Sequence, residues 1–397
     1  MEKCCGLSHL FMTVFLSCFS TFMVIPPMTD ITLSAICPGQ DECSLAIYLT
    51  GVQQAIVGLG SLVMMPVLGN LSDTYGRKVM LTLPMTLSIF PLGSVQCLAL
   101  AYVADNVPES RRASVFGVLS GIASSAFVCG NLSARFLSTA STFQVAAAMA
   151  VIALLYMKMF LPESITKGNI CSKKSETSCL LEIAPKKGFQ FFKTLPSFSD
   201  MLCLLKTSST FLQAAIVSFF VNVAQVGLEA SLLYFLKAQF HFNKNQFADL
   251  LIISGIAGSI SQLLLMPILA PAFGEEKLLS IGLFFGCLHM LLYSIAWSSW
   301  VPYASAMISV LSIFAMPCGK VQGCITGICS FASVVSPLIF SPLTALFLSQ
   351  NAPFHYPGFG LACAAFASML AFIQSLMIKP DNNVTNWSVN DSNLAEP

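Results

Sequence analysis

The sequence predicts an all-α polytopic membrane protein. Of its 397 residues, 56% are apolar and only 9% are charged, whereas a soluble globular domain has roughly 25% Asp, Glu, Lys and Arg. The apolar residues form runs of about 20 or more, the length that an α-helix needs to cross a hydrocarbon core of about 30 Å. The net charge of +1 provides no basic surface for nucleic acid. The lipid bilayer is therefore the expected partner, and no nucleic-acid partner is expected.

Apolar runs separated by charged or turn-rich segments predict about 11 recognisable spans. They lie at 7–28, 44–68, 79–104, 113–137, 142–161, 209–236, 247–270, 278–298, 301–317, 320–348 and 356–378. The first run has an apolar core too long for a signal peptide and lacks a clear small-residue cleavage site, so we expect it to stay as a helix.

One long polar stretch divides the spans into two groups. Residues 162–207 are rich in lysine, and lysine-rich loops are retained in the cytosol during insertion. The predicted organisation is an N-terminal bundle, a cytosolic central loop, a C-terminal bundle and a polar tail, at 1–161, 162–207, 208–380 and 381–397. Two halves around a cavity at the membrane midplane are typical of secondary transporters.

The cysteine and histidine patterns do not indicate a metal site. Most of the fifteen cysteines lie in apolar runs, where free thiols behave as small hydrophobes. Cys37 and Cys43 lie in a polar segment between the first two spans, where a disulfide requires the loop to turn back. A disulfide and two free thiols are equally compatible with the sequence. We expect no metal and no other cofactor.

A charged segment at positions 69–78 follows the second span and reads Gly-Asn-Leu-Ser-Asp-Thr-Tyr-Gly-Arg-Lys. Gly69 allows two helices to approach closely, Asp73 can cap a helix end, and Gly76 relaxes the backbone. These features predict a tight turn between helices. Arg77 and Lys78 place this turn in the cytosol.

The same segment resembles the signature G-x-L-S/A-D-x-x-G-R-K/R of the major facilitator superfamily. All of the defined positions match, namely Gly69, Leu71, Ser72, Asp73, Gly76, Arg77 and Lys78. The resemblance implies a two-bundle fold in which this cytosolic loop controls opening. It also implies alternating access and a small-molecule substrate, while the oligomeric state stays undefined.

Further segments narrow the resemblance to two branches of that family. The residues Asp105, Pro108, Arg111, Arg112 and Gly117 lie in a stretch that resembles the junction between the fourth and fifth helices of tetracycline-efflux-like drug:proton antiporters. Segments 37–54, 232–248 and 323–348 resemble plant forms of hippocampus-abundant-transcript-like transporters. This resemblance implies twelve helices and export or compartmentalisation of a small organic solute, with a proton gradient as the energy source. The expected location is the plasma membrane or a vacuolar or other internal membrane.

The sequence departs from that family pattern at two places. Residues 79–104 form one span where the family has two, and the loop at 316–320 is shorter than expected, as in an isoform or gene model with two internal deletions. A single crossing at 79–104 would also place Arg111 and Arg112 outside the cell, against the positive-inside rule. A re-entrant hairpin, or the loss of a span elsewhere, would restore the usual sidedness.

Ionisable and amide side chains within spans are the candidates for proton or substrate binding. An ionisable group in a span costs about 2.5–3.5 kcal/mol on insertion scales. Asn222, Gln225 and Glu229 share one helix face, and Glu229 can bind a proton or cation or, equally, reach the interface near Lys237. The other candidates are Asp30, Gln53 and Gln54, with Asp30 interpreted mainly as an interfacial carboxylate.

No enzymatic motif was found: the sequence has no G-x-S-x-G, H-E-x-x-H or P-loop segment. We therefore expect a secondary active transporter and not an enzyme. The alternative hypothesis is a truncated membrane protein that does not transport and instead associates with, or competes against, full-length relatives.

Overall fold

The fold comes from a computed structural model. It describes residues 2–75, 81, 99, 102–103, 106–107, 109–162, 209–265, 268–269, 275–312, 322–349 and 352–377. Every regular element in these ranges is helical. The prediction of an all-α protein is therefore confirmed.

Eleven α-helices are labelled in the described ranges, in chain order. They are α1 (Glu2–Phe22), α2 (Ile25–Ile36), α3 (Ser44–Tyr75), α4 (Glu109–Phe136), α5 (Thr139–Phe160), α6 (Ser209–Phe240), α7 (Lys244–Ile260), α8 (Glu275–Ser294), α9 (Val301–Ile308), α10 (Gln322–Leu348) and α11 (Phe359–Leu376). A π-helical turn, Ser261–Leu265, follows α7, and a 3₁₀ turn, Ser309–Leu311, follows α9. Eight helical stretches in these ranges are long and apolar enough to cross a membrane, with α1 and α2 counted together as Gly6–Ile36. The count of about 11 spans remains a prediction.

Two helix boundaries differ from those predicted. The first span continues to Ile36, because Pro26 and Pro27 occupy the first turn of α2, where a missing backbone N–H costs nothing. The turn predicted from residue 69 is also wrong in its position, since α3 stays helical to Tyr75. Its 32 residues extend about 48 Å, which exceeds the hydrocarbon thickness of about 30 Å. The last turns of α3 can therefore project beyond the membrane core.

The helix directions define two ends of the molecule. At the end we call the Gly6 end, α1 begins beside the last residues of α5: His9 Nδ1 lies 2.8 Å from Tyr156 Oη, and Tyr102 Oη donates to the Pro162 carbonyl over 3.0 Å. At the opposite end, the Cys37 end, the loop before α3 meets the end of α10. Ser44 Oγ there donates to the carbonyl oxygen of Ala345 over 3.3 Å.

The helix directions also bear on the sidedness of Arg111 and Arg112. Helix α3 starts at the Cys37 end and runs toward the Gly6 end. Helix α4 runs parallel to α1, because the Phe22 and Phe127 rings lie 4.8 Å apart near the later parts of both helices. Thus α4 begins at the end where α3 finishes. Arg111 and Arg112 therefore start α4 at the end where α3 finishes, in line with the usual sidedness that a re-entrant hairpin or the loss of a span would restore. Most of segment 79–104 lies outside the described residues, so its path stays a prediction.

Each bundle has its own apolar core. One core uses residues from α1, α4 and α5 together with positions 81, 99, 102 and 103; its largest fully buried members are Leu10, Leu81, Leu119, Met157 and Leu161. The other core is formed by α6 to α11 and includes Leu236, Phe242, Phe247, Leu250 and Leu361. The two bundles can therefore move as separately packed units.

A third apolar cluster joins the bundles at the Cys37 end, and we call it the inter-bundle seal. Its buried members come from both halves of the chain: Leu33, Cys43, Ala46, Ile47, Tyr234, Ala345 and Leu348. Because these side chains exclude water between the bundles, the molecule is closed at this end.

Small residues bring α3 and α10 into close contact just below the seal. A Cβ added to Gly58 would lie 2.6 Å from the carbonyl oxygen of Ser333, and one added to Gly51 would contact Ser341 Oγ. The pairing of Gly51 with Ser341 and of Gly58 with Ser333 makes the two helices antiparallel. Backbones of membrane helices approach closely where small residues face each other.

We expect Gly58→Ala to lower the melting temperature of the purified protein in detergent micelles. The added methyl group would meet a backbone carbonyl that cannot rotate away, and overpacking of this kind costs about 1–3 kcal/mol. Gly60→Ala is the matched control, because no described atom lies within 4 Å of a Cβ at that position. Equal melting temperatures for the two variants would contradict the close contact.

The helix directions also predict that segment 163–208 and the C-terminus lie on the same side of the membrane. Pro162 lies at the Gly6 end, α6 runs from 209 toward the Cys37 end, and α11 runs back from it. An epitope tag after Ser175 and one after Pro397 should be equally sensitive to protease in sealed, oriented vesicles. A tag after Ser299, between α8 and α9, should show the opposite sensitivity. Different sensitivity of the first two tags would refute this topology.

Candidate functional site

The polar side chains of α6 form a short row in the middle of that helix. Gln225 Nε2 donates to Glu229 Oε1 over 3.0 Å. Asn222 Nδ2 donates to the Ser218 carbonyl at 2.8 Å and lies 2.9 Å from Cys329 Sγ of α10. The predicted shared face of Asn222, Gln225 and Glu229 therefore carries a hydrogen bond along α6 and a contact to α10.

Glu229 has an unusual environment for a carboxylate in a membrane span. Its side chain is exposed, and its Oε1 accepts a hydrogen bond from Gln225 Nε2. An exposed carboxylate in an apolar span faces either lipid or a cavity between helices, and the position that faces lipid is the costly one. Lys237, the neighbour expected in the interface interpretation of Glu229, pairs with Asp30 and Asp41 instead.

Helix α3 places an amide at the same depth as Glu229. The Thr50 and Tyr234 hydroxyls are 2.6 Å apart, which sets the register between α3 and α6. One turn further from the Cys37 end, Gln54 Oε1 is buried and has no hydrogen-bond partner among the described residues. Because the two helices are antiparallel, Gln54 lies at the level of Ala230, next to Glu229. Gln53, by contrast, is exposed.

The π-helical turn after α7 places two further polar atoms in the protein interior. Ser261 Oγ and Gln262 Oε1 are both buried and lack a hydrogen-bond partner among the described residues. Turns of this type often occur at functional sites. Sequence reasoning did not identify the turn; the available signal was Pro267, since proline cannot donate the backbone hydrogen bond of a regular helix.

Charged residues at the Cys37 end connect the two bundles, and sequence reasoning identified only Asp30 among them. Lys237 Nζ lies 2.9 Å from Asp30 Oδ1 and 3.6 Å from Asp41 Oδ1. His241 Nδ1 lies 2.6 Å from Asp41 Oδ2. Their positions just beyond predicted span ends were the signal that could have identified them. The structure also joins Cys37 and Cys43 in a disulfide.

A second group of polar contacts joins the bundles on another side of the same end. Arg135 of α4 forms an ion pair with Asp249 of α7, and Lys244 donates to the carbonyl oxygen of Leu137. An open cavity of about 600 Å³ lies beside these contacts. Its lining residues are Asp30, Arg135, Phe136, Leu137, Ser138, Asn243, Lys244 and Asn245.

Three of the seven residues of the predicted gating motif lie outside the described residues, and the side chains of the other four are not described. Gly69, Leu71, Ser72 and Asp73 belong to the helical backbone of α3, but their side chains are not described, and Gly76, Arg77 and Lys78 are outside the described ranges. Asp105 and Pro108 are also outside them. Arg111 and Arg112 begin α4, again without described side chains, and Gly117 has open space around its Cβ position. The assigned roles of these residues stay predictions.

Within the described ranges, no group of three or more His, Cys, Asp or Glu side chains is arranged to hold a metal ion. The described polar groups of the interior include amide and hydroxyl side chains and the imidazole of His289. Such groups can hold a small molecule by hydrogen bonds.

Sequence comparisons identify relatives over most of the chain. The chain is 22% identical over 436 aligned residues to Hippocampus abundant transcript 1 protein of Mus musculus, covering 95% of this chain and 85% of that protein. It is also 22% identical over 333 residues to the class C tetracycline resistance protein of Escherichia coli, covering 74% of this chain and 80% of that protein. The resemblance to both branches is confirmed.

Solved structures of transporters share the fold. The human organic anion transporter MFSD10 (TETRAN) superimposes with a TM-score of 0.63 at 16% identity, covering 94% of this chain and all of that chain. The xylose transporter XylE of E. coli, in a partially occluded inward open conformation, gives a TM-score of 0.64 at 14% identity, covering 96% and 98% of the two chains.

The family model for the Major Facilitator Superfamily matches residues 92–375, which is more than half of the chain. The two separately cored bundles, their close contacts at one end and the multi-pass apolar helices agree with this match. The chain belongs to the Major Facilitator Superfamily.

Proposed function

We propose that the protein is a secondary active transporter that moves a small organic solute by alternating access. The observation that carries this proposal is the accessible carboxylate of Glu229 within α6. The inter-bundle seal closes the space between the two bundles at the Cys37 end. A carboxylate that faced lipid would be costly to insert, so a water-filled cavity between the bundles best accounts for its accessibility. Such a cavity is the expected solute path.

The chemistry around Glu229 favours a solute that carries hydrogen-bond donors. Gln225 uses its amide nitrogen to bind the carboxylate, which leaves the Gln225 carbonyl oxygen free for a ligand. Gln54 adds a buried, unpartnered carbonyl oxygen at the same depth. Buried acceptors without donors cost about 1–3 kcal/mol each, so a bound amine, hydroxyl or amide group would recover that energy. An organic cation would also offset the carboxylate charge.

The same carboxylate is our candidate for proton coupling. A proton on Glu229 would neutralise the group that holds a cationic or donor-rich solute, so proton binding and solute binding would compete. Competition of this kind exchanges a proton for a solute across the membrane. The similarity to tetracycline resistance proteins supports export as the direction of solute movement.

The Gly6 end is the proposed cytosolic side. Arg77 and Lys78 follow α3 at this end, and the lysine-rich segment between α5 and α6 connects two helices there, as the positive-inside rule requires. The seal at the Cys37 end then closes the path on the extracytosolic side. The membrane would be the plasma membrane or an internal membrane.

A second candidate function is association with full-length relatives without transport. The observation that favours it is the connection from α3 to α4, which returns to the same end through residues 76–108. That length is too short for two spans of about 20 residues each with a turn between them. Loss of solute flux together with co-purification with a full-length relative would favour this candidate.

We expect Glu229→Gln to abolish solute accumulation driven by a pH gradient while solute exchange continues. The amide cannot take up or release a proton, but it can still accept a hydrogen bond from a solute. Purified protein in liposomes containing a pH-sensitive dye would be tested with tetracycline, a nucleoside, xylose and an organic anion as probes. We expect at least a tenfold loss of gradient-driven uptake and of the accompanying proton movement.

Glu229→Asp is the matched control, because it keeps a titratable carboxylate on the same helix face and should retain part of the coupled uptake. Unchanged proton-coupled uptake in Glu229→Gln would exclude Glu229 as the coupling group. Failure of the unaltered protein to move any of the four probes, in gradient-driven or exchange mode, would count against the transport proposal and favour the second candidate.

A further inference from the structure

The loop that connects α2 to α3 reaches across the boundary between the bundles. It comprises residues 37–43, and its disulfide joins Cys37 to Cys43 with their Cα atoms 6.2 Å apart. Cys43 is buried in the inter-bundle seal, together with Tyr234 and Ala345 of the other bundle. The disulfide is therefore anchored at the junction and is not a feature of an isolated surface loop.

The ring closed by this disulfide folds the loop back on itself. Gly39 has φ of 81°, a left-handed conformation that suits glycine, and the Gln40 N–H donates to the Cys37 carbonyl over 3.2 Å. These features turn the chain within a few residues. As a result Asp41 faces the C-terminal end of α6, where one carboxylate oxygen lies 3.6 Å from Lys237 Nζ and the other lies 2.6 Å from His241 Nδ1.

The partners of Asp41 are two side chains of the opposite bundle. Lys237 Nζ is shared between Asp41 and Asp30, and only 17% of the Lys237 side chain is exposed. A lysine so far withdrawn from water needs anionic partners. Both of its carboxylates belong to the N-terminal bundle, so separation of the bundles at this end leaves Lys237 without either of them.

The second partner, His241, is held by an unusual backbone conformation. Its φ is 55°, a left-handed conformation that is uncommon for residues other than glycine. His241 ends α6 by donating its N–H to the Lys237 carbonyl over 3.0 Å, the bond expected of a left-handed helix end. Glycine would adopt this conformation without cost, but it would lack the ring that meets Asp41.

From these contacts we propose that loop 37–43 is a clasp that holds the Cys37 end closed through Asp41, Lys237 and His241. The disulfide fixes Asp41 in position, and the Lys237 ammonium and the His241 ring contact its two carboxylate oxygens. This role of the clasp rests on the proposed transport function. In that transport cycle, the Cys37 end opens only when Asp41 is released from Lys237 and His241. Arg135 with Asp249 and Lys244 with Leu137 remain as separate contacts, so loss of the clasp favours opening without unfolding the junction.

The test measures the distance between the bundles at the Cys37 end. Spin labels on non-natural amino acids would replace Ser34, at the end of α2, and Ser299, between α8 and α9, so that all native cysteines stay unmodified. Neither position belongs to the clasp. Pulsed electron paramagnetic resonance on the full chain in lipid nanodiscs would give the fractions of molecules with short and long separation.

We expect Asp41→Asn to raise the long-distance fraction several-fold, because it removes the charge that holds Lys237 and His241. The double variant Cys37→Ser/Cys43→Ser should have a similar effect, and its combination with Asp41→Asn should add little. Glu42→Gln is the matched control: it removes a carboxylate from the same loop, and Glu42 forms no ion pair among the described residues. Its distance distribution should match that of the unaltered protein.

His241→Asn provides a second variant if Asp41→Asn does not fold, since asparagine tolerates the left-handed conformation while removing the ring. Distance distributions of Asp41→Asn and His241→Asn that both match that of Glu42→Gln would overturn the clasp. The distance measurement needs no solute. A several-fold shift in a protein that moves none of the four probes would therefore support the clasp while the transport proposal fails.

Discussion

Backbone hydrogen bonding in the bilayer is the constraint from which the rest of this structure follows. The hydrocarbon core offers no water to unpaired N–H and C=O groups, so every crossing segment must satisfy them internally. Helices meet that requirement. In a regular helix the backbone groups are already paired, so side chains supply the polar groups that remain available within the membrane. Among the described residues, one departure from the regular α-helix is the π-helical turn Ser261–Leu265, where the side-chain oxygens of Ser261 and Gln262 are buried. Under the proposed function, polar groups of this kind are the candidates for the solute path.

Apolar contacts and ion pairs both join the two bundles, and they contribute differently to the free energy of the closed state. The buried side chains of the inter-bundle seal supply most of the attraction, because burial of apolar area is favourable wherever water is displaced. Exposed ion pairs such as Asp41 with His241, whose side chains are 42% and 73% exposed, contribute about 0–1 kcal/mol each. Pairs of this strength can break and form again at little cost.

Sequence reasoning predicted the parts of the structure that depend on composition and spacing. Apolar run length predicted the helices, and residues 69–78 indicated the family. The side-chain contacts that α6 makes with other helices could not be predicted. Partners such as Asn222 and Cys329 are 107 positions apart, and no local sequence pattern relates them. The predicted position of the turn after the second span was wrong because glycine and serine allow a helix to end but do not force it to. Helix α3 continues to Tyr75.

Helix α6 carries two charged side chains that have different partners. Glu229 and Lys237 lie two turns apart, about 12 Å along the helix axis, which exceeds the i,i+4 spacing at which helical side chains pair. Gln225 binds Glu229 within the bundle, while Asp30 and Asp41 bind Lys237 across the bundle boundary. Both side chains belong to one continuous helix, so a displacement of α6 relative to α2 and α3 would change the surroundings of both together. In the proposed transport cycle, this shared helix would couple the charge of Glu229 to the partners of Lys237.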